Sequence, residues 1–248
     1  MGTILQAKNV CKQYEGNEVL KSISLSIEDG EFVAIMGQSG SGKSTLLYNF
    51  SGMDTATSGH VFFQGREITA LSEEEISCLR LEKMGFIFQS ANLLKNLSIR
   101  DNIIFPGFLL GKASPRELNN QGEILMKRMG IFEIANHDIK KVSGGQLQRA
   151  AICRALINNP IIIFCDEPTG ALNLAATKEV MELFNKINRE GTAVMLVTHD
   201  ARVAARADRI IYLEDGEKKA ELRLGKYQDE DSLPREKNMI EWLQGMGF

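Results

Sequence analysis

The octapeptide Gly37-Gln38-Ser39-Gly40-Ser41-Gly42-Lys43-Ser44 fits the pattern G-x-x-x-x-G-K-[ST]. Glycines at these spacings let backbone N–H groups close around phosphate oxygens, and a helix beginning at Lys43 points its positive end at the same anion. Lys43 is placed to reach the β- and γ-phosphates, Ser44 to ligate magnesium, and Thr45 to lie against the α-phosphate. Downstream, the apolar run Ile161 to Cys165 ends in Asp166-Glu167. Asp166 supplies a carboxylate that holds magnesium through water, and Glu167 a base that orients and deprotonates the attacking water. Ser143-Gly144-Gly145-Gln146 opens another helical segment and makes a second anion-seeking helix start. Gln89, after Phe88, and His199, in Val197-Thr198-His199-Asp200, complete five motifs in one order. Taken singly they have plainer readings: a glycine-rich turn, a solvated strand end, an ordinary helix cap. Taken together they imply hydrolysis of ATP. Two anion-seeking helix starts with only one lysine-bearing loop imply a head-to-tail dimer, each chain's Ser143 to Gln146 closing over the other chain's nucleotide.

These residues need a scaffold of strands and helices. Thr3 to Val10 and Ser22 to Ile27 alternate apolar and polar residues, the mark of half-buried antiparallel strands. Glu31 to Met36 reads as a buried strand feeding the glycine-rich loop, followed by a helix from Lys43 to Ser51. Gly59 to Gln64 and Gly85 to Phe88 read as further strands. Ser72-Glu73-Glu74-Glu75 carries a capping box ahead of a helix whose apolar face is Ile76 and Leu79. From about Ser90 helical spacing dominates, for example Leu118, Ile124, Leu125 and Met129 after Ser114-Pro115. This predicts a helical insert over about 90–158 that ends in the helix Gln146 to Ile157. Ile161 to Cys165 has the character of a central parallel strand. A helix (Ala175 to Arg189), a strand (Ala193 to Thr198), a helix (Ala201 to Ala207) and a strand (Arg209 to Leu213) follow, and Gly216 turns into a last short strand. Strands alternating with helices predict a parallel sheet covered on both faces. Residues 225–248 read as a tail: acidic at Asp229-Glu230-Asp231, then Met239, Trp242, Leu243 and Met246 at helical spacing. Such a helix either packs on the main body or docks a partner.

With 248 residues there is ample chain for a core, and 44% hydrophobic with 25% charged residues is the balance of a globular protein. A net charge of −3 argues against a broad nucleic-acid-binding face. No two of Cys11, Cys78, Cys153 and Cys165 form a C-x-x-C pair, and the last two lie in apolar stretches as expected of reduced core thiols. The N-terminal residues lack the basic-then-apolar pattern of a secretory signal. No apolar run approaches the ~18 residues that span a bilayer; Ile103 to Gly111 is short and carries Pro106. Any membrane part therefore has to come from another chain.

The motifs, in this order, resemble those of ATP-binding subunits of ABC transporters, over roughly Ile4 to Leu222. The resemblance implies an α/β fold: a P-loop NTPase core with a mostly parallel sheet, an N-terminal antiparallel β subdomain and an inserted helical subdomain. It implies a nucleotide-binding domain over 1–224, with ATP and Mg²⁺ as cofactors and Ser44, Gln89 and Asp166 around the metal. Tyr14 matches the aromatic residue that stacks on adenine. Gln89 matches the glutamine that contacts Mg²⁺ and the attacking water, and His199 the histidine that touches the γ-phosphate. The implied partners are a second copy of the chain and an integral-membrane permease, at the cytoplasmic face of the cell membrane. Val142 stands where the family usually has leucine, and Asn173 where an aspartate is common in the dimer-contact loop. Met84 to Gln89, Asn92-Leu93-Leu94 and Asn102-Ile103 resemble the branch of macrolide and antimicrobial-peptide exporters and lipoprotein-release ATPases, whose permeases carry a large extracytoplasmic domain. The tail looks most like the bacitracin-resistance type. Two other uses stay open: an ATP-driven signalling module that moves no cargo, and a soluble ATPase acting on nucleic acid. Asn92, Leu93, Leu94 and Leu97 either line a permease groove or belong to the insert's own core.

Overall fold

The computed structural model describes residues 2–228, 230 and 232–246. Asp229, Asp231 and the terminal pair Gly247-Phe248, parts of the tail read from the sequence, lie outside the described residues. In chain order the elements are β1 (Thr3–Tyr14), β2 (Asn17–Glu28), β3 (Phe32–Met36), α1 (Lys43–Phe50), β4 (Ser58–Phe63) and β5 (Arg66–Glu67). Then come α2 (Glu73–Lys83), β6 (Met84–Phe88), α3 (Ile99–Leu110), α4 (Pro115–Arg128), α5 (Gly144–Leu156) and β7 (Ile162–Asp166). The chain closes with α6 (Leu174–Arg189), β8 (Ala193–Val197), α7 (Ala201–Ala204), β9 (Arg209–Glu214), β10 (Glu217–Arg223) and α8 (Ser232–Gln244). They form two compact units, one of residues 1–71 with 185–248, the other of residues 72–184.

In the first unit β1 pairs antiparallel with β2 and β4, in the order β2-β1-β4-β5. β1 is longer than its alternation suggests, because its register shifts between Ala7 and Val10, where Asn9 takes φ +49°. The bulge lets the strand continue to Tyr14 while re-aiming its side chains. A second sheet has β3 at its centre, parallel to both β8 and β9, with β10 antiparallel on β9. Every residue of β3 and β8 is buried, as expected of parallel strands covered on both faces.

A charged cluster fixes the entry to β3. The Arg209 guanidinium donates to both oxygens of Glu31, at 2.7 and 2.8 Å, and to the Ser26 carbonyl at 2.6 Å. Asp208 accepts from the Phe32 N–H at 2.9 Å and from Lys226 Nζ at 2.7 Å. The tail helix α8 packs within this unit. It buries Met239 and Leu243, sets Trp242 edge-on to Tyr212, and leaves Ile240 exposed. Arg235, buried, donates to the carbonyls of Ala205 and Ala207 at 2.9 and 2.5 Å, and to that of Gly225 at 3.1 Å.

In the second unit β6 and β7 are parallel, and α3, α4 and α5 pack on one another. Capping boxes start α2 at Ser72, α4 at Ser114 and α5 at Ser143. The buried face of α4 is Leu118, Gly122 and Met126, so Ile124 points to solvent, against the sequence expectation. The face follows the (i, i+4) row, which places Ile124 on the opposite side. Gly107 and Gly122 let α3 and α4 close on Leu118 and Ile104: a Cβ at either would sit within 2.4 and 2.7 Å of those side chains. α3, with Pro106 inside it, is 12 residues long, and no helix among the described residues is long and apolar enough to cross a membrane.

Removing one member of a nearly buried ion pair leaves the other uncompensated, at a cost of about 3–5 kcal/mol. Glu31→Ala should lower the unfolding free energy in urea denaturation by less than that, because Glu221 stands 3.6 Å from Arg209 and remains as a partner. Glu123→Ala, which breaks an exposed (i, i+4) pair with Lys127, should leave the urea midpoint essentially where it is.

Candidate active site

In the first unit the phosphate-type loop leaves the carboxyl end of β3. Gly37 has φ +152°, and a Cβ there would lie 2.1 Å from the Leu213 carbonyl oxygen, so only glycine fits. The loop closes on its own lysine: Lys43 Nζ, buried, donates to the carbonyls of Gly37 at 2.9 Å and Gln38 at 2.7 Å. The neighbouring Ser41 hydroxyl is buried and has no hydrogen-bond partner among the described residues. α1 begins from Gly42 in the left-handed region, with no side-chain cap and no acidic residue in its first turn. A buried ammonium, an orphaned hydroxyl and an uncapped helix start together suit a polyphosphate.

β8 runs beside β3 with Ile35 opposite Val197, and the Thr198 N–H donates to Ile35 O at 3.1 Å. His199 therefore leaves the sheet level with the start of the phosphate loop. It stands exposed on a turn held on both sides. The Asp200 N–H donates to Thr198 Oγ1 at 3.1 Å, and Asp200 caps α7 through the Arg202 N–H at 2.8 Å. Burial alone would push the Asp200 carboxyl up, but its hydrogen bonds to Arg202 outweigh burial and hold it below the usual carboxylate range. Tyr14 ends β1 and is 43% exposed.

In the second unit the register of β6 and β7 pairs Phe88 with Asp166. Gln89 and Glu167, the next residues, therefore leave the same sheet end together. Glu167 takes φ +47°, a left-handed conformation that a non-glycine residue adopts at a cost of about 1–2 kcal/mol. The turn is tied by the Gly170 N–H to Glu167 O at 3.0 Å. The Gln89 side chain lies against it, its Nε2 2.9 Å from where a Cβ on Gly170 would be. Oxygen donors of this kind, a carboxylate and an amide at one strand end, suit a hard divalent cation.

α5 starts from an exposed Ser143-Gly144, with Lys140 and Lys141 just before it and no acidic residue in its first turn. Ser143 and Gln146 cap one another: Gln146 Oε1 accepts from the Ser143 N–H at 2.9 Å, and Ser143 Oγ from the Gln146 N–H at 3.3 Å. Asn173 caps the next helix through the Ala176 N–H at 2.9 Å, a role asparagine fills as well as aspartate.

Three residues hold this half of the site, and two of them, Gln148 and Arg154, stand outside the motifs. Gln148 Nε2 donates to Phe88 O at 3.0 Å. Arg154 donates to the carbonyls of Ala91 and Asn92 at 2.8 and 2.7 Å. Asn102, buried in α3, binds both the N–H and the carbonyl of Leu94, at 2.6 and 3.1 Å. α5 thus grips the end of β6 and the segment after Gln89. In that segment Asn92 and Leu94 are exposed and Leu93 and Leu97 half-buried, so these leucines are not the insert's core. A polar residue inside an apolar helical pattern was the available signal for Asn102; Gln148 and Arg154 had none.

Residues 20–170 match the ABC transporter family. The chain belongs to that family. Its fold is that of an ABC ATPase: a P-loop α/β core of mostly parallel strands, with an antiparallel β sheet and added helices. Its activity is that of an ATP-binding, ATP-hydrolysing subunit. Among curated proteins it is 45% identical to the lipoprotein-releasing system ATP-binding protein LolD of Aquifex aeolicus, over 87% of this chain and 96% of LolD. It is 41% identical to the macrolide export ATP-binding/permease protein MacB of Campylobacter jejuni, over 97% of this chain but only 38% of MacB. A solved dimeric ATP-binding cassette in a post-hydrolysis state, bound to ADP and Pi, superposes with a TM-score of 0.83 at 39% identity, covering 90% of this chain and 100% of that one.

In this cassette Arg154 holds the segment after Gln89 by two charge-assisted bonds, each worth about 1.5–3 kcal/mol. Arg154→Ala should speed amide hydrogen exchange over residues 90–97 by about tenfold or more, while exchange inside β7 stays unchanged.

Proposed function

We propose that this cassette works as a homodimer that binds ATP with Mg²⁺ between paired copies and drives an integral-membrane permease carrying a large extracytoplasmic domain, from the cytoplasmic face of the membrane. Residues 1–224 act as the nucleotide-binding domain and 225–248 as its tail. The observation that carries the pairing is the exposed start of α5 at Ser143-Gly144, preceded by Lys140 and Lys141 and with no acidic residue in its first turn, in a chain whose sequence has one G-x-x-x-x-G-K-[ST] loop.

Bound ATP with Mg²⁺ supplies an electrophilic γ-phosphorus and the charge that the loop neutralises. Gly37, Gln38, Ser39, Gly40, Ser41, Gly42, Lys43, Ser44 and Thr45 hold the phosphates, with the Lys43 ammonium as the main positive charge. The Ser44 hydroxyl, Asp166 and Gln89 hold the metal. Glu167, fixed by its left-handed turn, accepts a proton from the attacking water. His199 donates a hydrogen bond toward the terminal phosphate, and Tyr14 stacks on the base. Ser143, Gly144, Gly145 and Gln146 complete the partner copy's site. Closing around ATP and reopening after hydrolysis would bias the permease between two states through their different affinity for nucleotide.

The permease surface we assign is on the helical insert. Leu94, Phe105, Phe108 and Leu109 are all exposed there, an apolar grouping of the kind that marks an interaction site. Antimicrobial-peptide export or resistance is the transport role we favour. A second role is supported by the likeness to LolD along almost its whole length: a mechanical module of the lipoprotein-release type.

Glu167→Gln should retain ATP binding, lose at least about a hundredfold in ATP hydrolysis, and elute as a dimer in the presence of ATP on size-exclusion chromatography. Hydrolysis at the parent rate by that variant would remove Glu167 from this role.

A further inference from the structure

Lys12 and Tyr14 are two residues apart on β1, and although the register shifts between Lys12 and Gln13 their side chains meet. The Tyr14 hydroxyl donates to Asp54 Oδ2. The other Asp54 oxygen accepts from Lys12 Nζ at 2.6 Å, and the same ammonium donates to the Thr55 carbonyl at 2.7 Å. Lys12 is only 9% exposed, and its Nζ lies over the Tyr14 ring, 4.7 Å from the centroid. Asp54 follows α1 directly, its N–H bonded to Tyr48 O at 3.1 Å. A lysine this buried is unusual, and apolar residues could fill such a place with equal stability. Its geometry does something apolar packing cannot: it fixes both the tip and one face of an otherwise exposed aromatic ring.

We propose that Lys12 and Asp54 are positioning residues for nucleotide binding, a clamp that holds the Tyr14 ring as a one-faced stacking platform. This rests on the reading of Tyr14 as the residue that stacks on the base. The cation on one face draws electron density from the ring and leaves the opposite face to an electron-rich purine. The clamp also holds at neutral pH. Burial, then the bond to Asp54, pushes the Tyr14 hydroxyl up to about 12, so it stays a donor. Burial would raise the Asp54 carboxyl, but the bonds from Lys12 and Tyr14 prevail and hold it below the usual range. Its contribution is therefore complete above the ordinary carboxylate pKa and is lost only as pH falls through the lowered value.

The test uses the full chain, with dissociation constants for ATP, GTP and inorganic tripolyphosphate measured by calorimetry. Base–aromatic stacking is worth about 1–3 kcal/mol, so Tyr14→Ala should weaken ATP by about fivefold or more. Lys12→Met and Asp54→Asn should each weaken ATP and GTP about threefold to tenfold, within that limit, and leave tripolyphosphate unchanged. Tyr14→Phe, which keeps the ring but not its tether, should behave like Asp54→Asn. Adding Asp54→Asn to Tyr14→Ala should cause no further loss. If Tyr14→Ala binds ATP as the parent does, the stacking reading itself fails. If Tyr14→Ala is weakened but Lys12→Met and Asp54→Asn are not, stacking stands and the clamp is refuted. Equal weakening of tripolyphosphate would also overturn the clamp, because the loss would then pass through the phosphate loop rather than the ring.

Discussion

A strand buried on both faces can carry polar chemistry only where it ends. β3 and β8 are buried throughout, and β7 is buried up to Asp166. The residues we assign to phosphate and water therefore gather at strand ends. Gly37 and His199 leave β3 and β8 at one level of the first unit, and Gln89 and Glu167 leave β6 and β7 at one level of the second. Because parallel pairing fixes register along the whole strand, each pair of reactive positions is set by hydrogen bonds made within the core.

Within the second unit one helix does most of the organising. α5 begins at the exposed Ser143-Gly144, reaches Phe88 through Gln148 one turn later, and holds Ala91 and Asn92 through Arg154. A displacement of the loop after Gln89 is thus coupled by direct bonds to the helix whose start we assign to the partner's nucleotide. The coupling is short and made of backbone carbonyls and two side chains, so it does not depend on the packing of distant leucines.

The sequence makes the site's parts readable because each motif pairs a special backbone geometry with a required side chain. Gly37 and Lys43 are such a pair, and the capping box at Ser72 is another kind. Contacts between distant segments were not readable. Nothing local tells that Arg154 meets Asn92, or that Lys12 meets Asp54. The bulge at Asn9 also hid the true length of β1, since a register shift breaks the alternation on which strand reading relies. Ile124 misled for a related reason: an apolar residue was taken for part of the face of α4, whereas the buried row runs through Gly122.

The anchoring of α8 reaches further than a tail usually does. Arg235 takes hold of Ala205 and Ala207, the backbone just after α7, and α7 is itself capped by Asp200, the neighbour of His199. Limited proteolysis ahead of Arg235 would therefore remove the fastener from a segment only a few residues beyond the histidine. A nick at the far end of the chain and damage to the turn we assign to the terminal phosphate would then look alike in an activity assay.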